Sequence, residues 1–162
     1  MENFLWRVSM ARVERDGAFS VFPGIDRTLC LLEGAGLTLN FGAGQAEQHV
    51  DMHSAPLRFA ADIPVTASLT NGAILDLNVM TRRGQFDHLV HCAEAGAVPP
   101  IEAHGLERLV LVSGGAAFIQ AAAGSFRLED KDCVVMGAQQ PAQLELEAGA
   151  RCYTVTLILC GG

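Results

Sequence analysis

Short apolar runs separated by glycine- and proline-rich turn signals recur along the whole chain. Clear examples are residues 28–33, 37–41, 73–80 and 151–159. Turn signals spaced by about eight to twelve residues are typical of β-sandwiches and β-barrels. A βαβ protein would instead show amphipathic helical segments between its strands, and none is evident. The pattern therefore predicts an all-β fold.

An internal repeat divides this fold into two halves. An offset of 81 residues lays residues 24–27 (GIDR) over 105–108 (GLER), and an offset of 77 places Leu69 on Leu146 and Asp76 on Tyr153. Matches in the same order, mostly at turns, indicate a duplicated β unit. Two such copies predict a bicupin, which is a pair of small jelly-roll β-barrels in one compact body. Residues 1–96 form the N-terminal half and residues 97–162 the C-terminal half, with a proline-containing linker at residues 96–100.

Three local patterns refine this prediction. Residues 128–135 resemble the turn and strand of a cupin second motif, with Lys131 and Asp132 where Gly-Asp is usual. Residues 19–22 are predicted as a short strand that is closed by a type II turn at Pro23 and Gly24. Residues 45–54 are predicted as a polar loop.

Charge and composition exclude several classes of partner. The net charge is -7 with only 11 Lys and Arg residues, which disfavours nucleic-acid binding. Without an apolar run of about 18 residues, no membrane span is predicted. An acidic residue, Glu2, stands where a signal peptide needs basic ones, and no long apolar segment follows it, so a cytoplasmic location is expected. The five cysteines form no Cys-x-x-Cys pair and are predicted to be free thiols.

The stretch from residue 76 to residue 83 is the most distinctive strand. Alternation puts Asp76, Asn78, Met80 and Arg82 on one face, and mainly apolar residues on the other. Such a polar face either meets solvent or points into a barrel lumen. In a lumen, the polar groups need partners from each other, from water or from a ligand.

The lumen alternative predicts a ligand site without a metal. Arginine presents a planar fork of donors that matches a carboxylate, and asparagine both donates and accepts. Asp76 could equally form a structural ion pair with Arg27 or Arg82, and Asp26 with Arg27 could be a pair at a turn. The predicted ligand contacts are Asn78, Arg27, Arg82, Asp76 and Ser20, with Met80, Phe59 and Trp6 as apolar walls.

Metal and nucleophile chemistry find less support. His49 and His53 flank Asp51 in the predicted loop, but they lack the spacing of a cupin metal site, so no metal or other cofactor is predicted. The cysteines lie in apolar runs that disfavour a thiolate. An enzyme remains the alternative, either metal-dependent through His49 and His53 or a metal-free hydrolase or isomerase with Asp76 as base.

Four stretches together resemble the HutD/Ves family. They are WRV at 6–8, FSVFPGIDR at 19–27, LLEGAG at 31–36 and DLNVMTRR at 76–83. The resemblance implies a bicupin-like fold and a role in bacterial histidine utilisation, where HutD-type proteins moderate the pathway without catalysing a step. The Ves branch is linked instead to stress-induced expression, which leaves two physiological roles open.

Together these inferences predict a non-catalytic, regulatory protein that binds a small carboxylate. The family context points to intermediates of histidine breakdown such as urocanate or formylglutamate. Because cupins often dimerise through sheet edges, a homodimer is also expected.

Overall fold

Every regular element in the described part of the chain is a β-strand. The computed structural model describes residues 4–42, 44–94, 106–137, 140 and 142–161. In chain order the strands are β1 Trp6–Val13, β2 Gly17–Ala18, β3 Ile25–Glu33, β4 Leu37–Asn40, β5 Gln48–Val50, β6 Leu57–Ala60, β7 Thr66–Leu69, β8 Ile74–Arg82, β9 Phe86–Glu94, β10 Glu107–Ser113, β11 Ala117–Ala121, β12 Gly124–Leu128, β13 Cys133–Gly137, β14 Ala142–Leu146 and β15 Arg151–Leu159. The all-β prediction is confirmed. Across these residues there is no helix that could cross a membrane.

The chain separates into two compact units, Met1–Phe86 and Asp87–Gly162. The predicted linker at residues 96–100, and with it the predicted boundary between the halves, lies outside the described residues. Each unit is built from two antiparallel sheets, as a jelly roll requires.

In the N-terminal unit, one sheet has the strand order β1-β8-β3-β6 and the other β2-β7-β4-β5. Apolar residues from both sheets form one core, including Leu29 and Leu31 of β3, Leu37 and Leu39 of β4, and Ile74 of β8. The core lies between the sheets. The central strands β3 and β8 are buried on both faces, since Leu77 and Val79, which point away from this core, are also fully buried.

The C-terminal unit repeats the same arrangement. Its sheets have the orders β13-β10-β15-β9 and β12-β11-β14, so β10 and β15 are central as β3 and β8 are in the first unit. Its core includes Val110 and Val112 of β10, Ile119 of β11 and Cys152 of β15.

The pairing register corrects the sequence repeat by one residue. Leu31 pairs with Asp76, and Val112, the residue 81 positions after Leu31, pairs with Cys152. Asp76 therefore corresponds to Cys152, and its predicted match with Tyr153 is wrong. A one-residue slip moves every side chain to the opposite face of a strand. The polar face of β8 thus corresponds to a face of β15 that points into an apolar core.

Local turn chemistry agrees with part of the prediction. The Ile25 amide bonds the Phe22 carbonyl at 3.2 Å and Gly24 has a φ of 71°, as a type II turn requires. Residues 19–22 form no strand, because the pairing with β7 ends at Ala18. The predicted loop at 45–54 does contain a strand, β5, which pairs with β4.

Candidate functional site

Strand β8 directs its polar side chains into the N-terminal unit. Its residues Asp76 and Asn78 pair with Leu31 and Leu29 of β3. Side chains of directly paired residues lie on the same face of a sheet, and both leucines belong to the core between the two sheets. Asp76 and Asn78 are accordingly 1% and 3% exposed. The polar face of this strand points into the barrel and not into solvent.

Asp76 and Asn78 form a hydrogen-bonded pair. The Asn78 amide Nδ2 donates to Asp76 Oδ1 at 2.6 Å. Asp76 Oδ2 and Asn78 Oδ1 are buried and have no hydrogen-bond partner among the described residues. Burial raises the pKa of Asp76 to about 6, against the opposing effects of the Asn78 hydrogen bond, the Arg27 charge and the Ala11 amide. The pair therefore leaves two acceptor atoms unused inside the barrel.

Arg27 lies on the same face of the sheet and is only 5% exposed. Its guanidinium carbon stands 5.0 Å from the ring centre of Phe19, 5.6 Å from that of Phe22 and 6.0 Å from that of Phe59. We call these three rings the phenylalanine cage. Cation–π attraction favours such placement, and more strongly where water is excluded.

The guanidinium retains unused hydrogen-bonding capacity. Arg27 Nε and Nη1 are buried and have no hydrogen-bond partner among the described residues. Burial lowers the pKa of Arg27 to about 10, with the Asp76 charge opposing and the Arg7 charge adding to the effect. At neutral pH the group is still cationic. A buried cation with two unused donors is a strong candidate for anion recognition.

Two other predicted residues lie beside this site. Met80, which is 2% exposed, pairs directly with Arg27 across the sheet. Phe59 is the opposite neighbour of Arg27, on β6, and belongs to the phenylalanine cage. Arg82 is half-buried at the end of β8, where its Nε donates to the Phe4 carbonyl at 3.2 Å.

The structure does not bring Ser20 and Trp6 to the site. Ser20 is exposed in the segment between β2 and β3. Trp6 pairs with Thr81, and odd-numbered positions of β8 point away from the face that carries Asp76. Trp6 therefore lies on the opposite face of the sheet from Asn78. The cage residues Phe19 and Phe22 are not among the predicted contacts, although two phenylalanines so close to Ser20 are a visible signal in the sequence.

The predicted ion pairs are replaced by others. No ion pair joins Asp76 to Arg27 or Arg82 within the described residues, and Asp26 pairs instead with Arg83 at 2.7 Å and Arg58 at 3.0 Å. Arg83 also bonds Asp62 at 3.0 Å. Burial would raise the pKa of Asp26, but its hydrogen bonds to Arg83 and Arg58 outweigh it and lower the pKa. Arg83 therefore forms its ion pairs on the outer surface of the unit.

A cleft of about 640 Å³ opens beside the cage. Its lining residues are Phe41, Gln45, Ala46, Gln48, Leu57, Arg58, Phe59, Ala60 and Ile63. The Phe59 ring packs edge-on against Phe41, with centroids 5.3 Å apart. Because Phe59 also stands over Arg27, it borders both the cleft and the guanidinium.

The histidines of the alternative metal site lie on the surface. His49 in β5 and His53 in the following turn are exposed, and Asp51 bonds the Ser54 hydroxyl and the His53 amide. These two hydrogen bonds lower the pKa of Asp51. Nowhere in the described residues do three or more His, Cys, Asp or Glu side chains form a group that could hold a metal ion.

Comparison with solved structures supports the cupin-like fold. HutD from Pseudomonas fluorescens superposes with a TM-score of 0.81 at 23% identity, covering 99% of this chain and 82% of that one. A cupin 2 conserved barrel domain protein from Leptotrichia buccalis gives a TM-score of 0.59 at 10% identity, over 98% of this chain and 86% of that one. At these identities the similarity shows the fold alone.

Comparison with known sequences shows the family. Protein Ves from Citrobacter koseri is 39% identical over 93 residues, which are 57% of this chain and 48% of that protein. The alignment thus spans about half the length of this curated relative. The model of the HutD family matches residues 1–154. Since that match includes nearly all of the sequence, the chain belongs to the HutD family.

Proposed function

We propose that the N-terminal unit binds a small carboxylate metabolite through Arg27, and that this binding moderates histidine utilisation without catalysing a step of it. The observation that carries the proposal is the pair of unused donors, Nε and Nη1, on a guanidinium that is 5% exposed. Leaving such donors unpaired inside a protein is unfavourable, and a carboxylate oxygen placed against either N–H group forms a charge-assisted hydrogen bond with it. Urocanate and formylglutamate are the acids to test first.

Several features support a small ligand. Three aromatic rings already lie against the guanidinium, which favours a compact acid over a bulky one. The adjoining cleft of about 640 Å³ is within the range of small-molecule sites. Five free cysteines agree with a reducing compartment, and the proposal assigns the protein to the cytoplasm.

Isothermal titration calorimetry with urocanate and with N-formyl-L-glutamate tests this directly. Wild type is expected to bind at least one of them, and Arg27→Met is expected to weaken binding by about ten-fold or more, because a charge-assisted contact is removed while the apolar stem remains. Arg12→Met is the matched control, since the Arg12 side chain is 61% exposed. Absence of heat with wild type, or equal affinity in Arg27→Met, would refute the proposal.

A catalytic function is the second candidate, and the pKa of about 6 for Asp76 favours it. A carboxylate with such a pKa is suited to general-base chemistry near neutral pH. Nuclear magnetic resonance of each acid incubated with the protein distinguishes the two. Turnover that is lost in Asp76→Asn would establish the enzyme, whereas binding without turnover is the outcome expected here.

A further inference from the structure

The proposed carboxylate site gives Arg27 a partner but gives none to the two buried acceptors on the same face of the sheet. Asp76 Oδ2 and Asn78 Oδ1 are both buried and unpartnered in the part of the chain that is described. Their side chains are 1% and 3% exposed and share the barrel-facing side of β8. Buried polar atoms in native proteins nearly always have a partner. These two oxygens therefore need an explanation of their own.

The chemistry of the two side chains decides which of them donates the hydrogen bond. An ionised carboxylate can only accept hydrogen bonds, so the group of Asn78 that faces Asp76 at 2.6 Å is its amide N–H. The carbonyl oxygen of Asn78 is then the atom left open, next to the open oxygen of Asp76. Both unused positions accept, and a second carboxylate placed there would be repelled. Only a hydrogen-bond donor satisfies them.

Donor and acceptor sites are close enough for one small molecule to reach. Arg27 pairs with Met80, and Asn78 lies two residues further along β8, a rise of about 7 Å. The Arg27 and Asp76 charges also influence each other's pKa. The barrel-facing side of this sheet thus carries a cationic donor, Arg27, and an anionic acceptor, Asp76.

We propose that the acid bound at Arg27 also carries an N–H donor, and that Asp76 and Asn78 select ligands by accepting it. The ligand class is then a small carboxylate with an amide or ring N–H on the side remote from the carboxylate, such as an N-acylamino acid or an N–H heterocyclic acid. This inference rests on the proposed function, because it assumes that the carboxylate binds Arg27.

Matched acids that differ in the N–H test it by calorimetry. One pair is urocanate with 3-(furan-2-yl)acrylate, whose ring oxygen replaces the N–H. The other is N-formyl-L-glutamate with its N-methyl derivative. Titration at about pH 8 keeps Asp76 ionised and the imidazole ring neutral. In at least one pair, the N–H member is expected to bind wild type about ten-fold more tightly or better.

Variants assign that preference to its residues. Asp76→Asn, which is nearly isosteric, and Asn78→Leu are each expected to reduce the affinity ratio within a pair several-fold. Arg27→Met is expected to weaken the binding of both acids of a pair equally and to keep their affinity ratio. The carboxylate contact at Arg27 and the N–H contact at Asp76 and Asn78 then contribute independently to binding, as a double-mutant cycle can show. Circular dichroism confirms that each variant is folded.

The outcomes separate the two proposals. Equal binding of both members by wild type, with loss of both in Arg27→Met, would overturn the donor inference and leave the carboxylate site intact. A preference that persists unchanged in Asp76→Asn and in Asn78→Leu would also overturn it. No binding of any of the four acids would overturn the proposed function and this inference with it.

Discussion

The side chain of Asn78 donates to that of Asp76 across 2.6 Å, two residues apart on the same face of one central strand. Residues at such spacing point in the same direction but are separated by about 7 Å of strand, so the contact requires both side chains to lean toward each other. The interaction leaves a carboxylate in an interior that is formed mainly by apolar residues. The ionisation of Asp76 should therefore be visible in the stability of the protein.

The stability of wild type relative to Asp76→Asn is expected to depend on pH. The pKa of Asp76 is raised to about 6 in the folded state, above the usual value of about 3.9, so the native state holds the proton more tightly than the unfolded state. The contribution of Asp76 to the free energy of unfolding then falls by up to about 3 kcal/mol as the pH rises from about 4 to 6. Because asparagine does not ionise, the stability of Asp76→Asn does not fall in this way.

Urea denaturation of both proteins at about pH 4.5 and about pH 7 measures the effect. Taking the difference between the two proteins cancels the titration of the other carboxylates. The variant should gain stability relative to wild type at the higher pH, and a pH-independent difference would show that Asp76 titrates normally in the fold.

The phenylalanine cage is expected to contribute to ligand affinity through Phe19, the ring nearest to the Arg27 guanidinium. Phe19→Leu keeps an apolar side chain but removes the π face, so the cation is less stabilised in the closed site. A cation–π contact contributes from about 0.5–1 kcal/mol where it is exposed to about 2 kcal/mol or more where it is desolvated, so a weakening of a few-fold to about thirty-fold is expected by calorimetry. Phe118→Leu is the control, because Arg127 stands over Phe118 at 5.7 Å in the other unit. Equal effects of the two changes would contradict the role of the cage.

Gly34 is expected to be irreplaceable at the end of β3. It has a φ of 102°, and a Cβ atom built there would lie 2.7 Å from Ile74 Cγ2 and 2.8 Å from the Ala73 carbonyl oxygen. Gly34→Ala should cost about 2–5 kcal/mol of unfolding free energy from backbone strain and overpacking together. Gly17→Ala is the comparison, since no atom lies within 4 Å of its Cβ. Chemical denaturation that finds both changes neutral would refute the strain argument.

Lys131 is expected to be a site where glycine stabilises the protein. Its φ of 69° lies in the left-handed region, and its amide bonds the Val112 carbonyl at 2.8 Å. Lys131→Gly relieves the backbone strain but gives up an exposed ion pair with Asp130 and adds chain entropy. A net gain of about 0.5–1 kcal/mol is expected in urea denaturation. A loss of stability would mean that the turn tolerates lysine without strain.

Local sequence patterns predicted the strands better than their orientation. The alternation in residues 76–83 correctly separated Asp76 and Asn78 from Leu77 and Val79. Because both faces of β8 are buried, hydrophobicity alone could not decide which face points into the barrel. That choice depends on pairing with β3, which is remote in sequence.

The errors have the same origin. The matches of the repeat are mostly glycine and alanine at turns, and these residues do not fix strand register to better than one residue. The chemistry of Trp6 suits a binding site, whereas its orientation follows from pairing with Thr81. The cage residue Phe19 lies outside any strand, and its position follows from a backbone bond between its amide and the Val65 carbonyl at 2.9 Å.

The enclosure of Arg27 has a consequence for ionic strength. Dissolved ions screen charges that they can approach, with a Debye length of about 8 Å under physiological conditions, and buried charges are screened much less. Arg83, which is 47% exposed, should lose much of its attraction for Asp26 in concentrated sodium chloride. Affinity for an acid held at Arg27 should change far less between about 0.1 M and 1 M salt, as calorimetry can show. Recognition at this site would then be insensitive to the salt content of the cell.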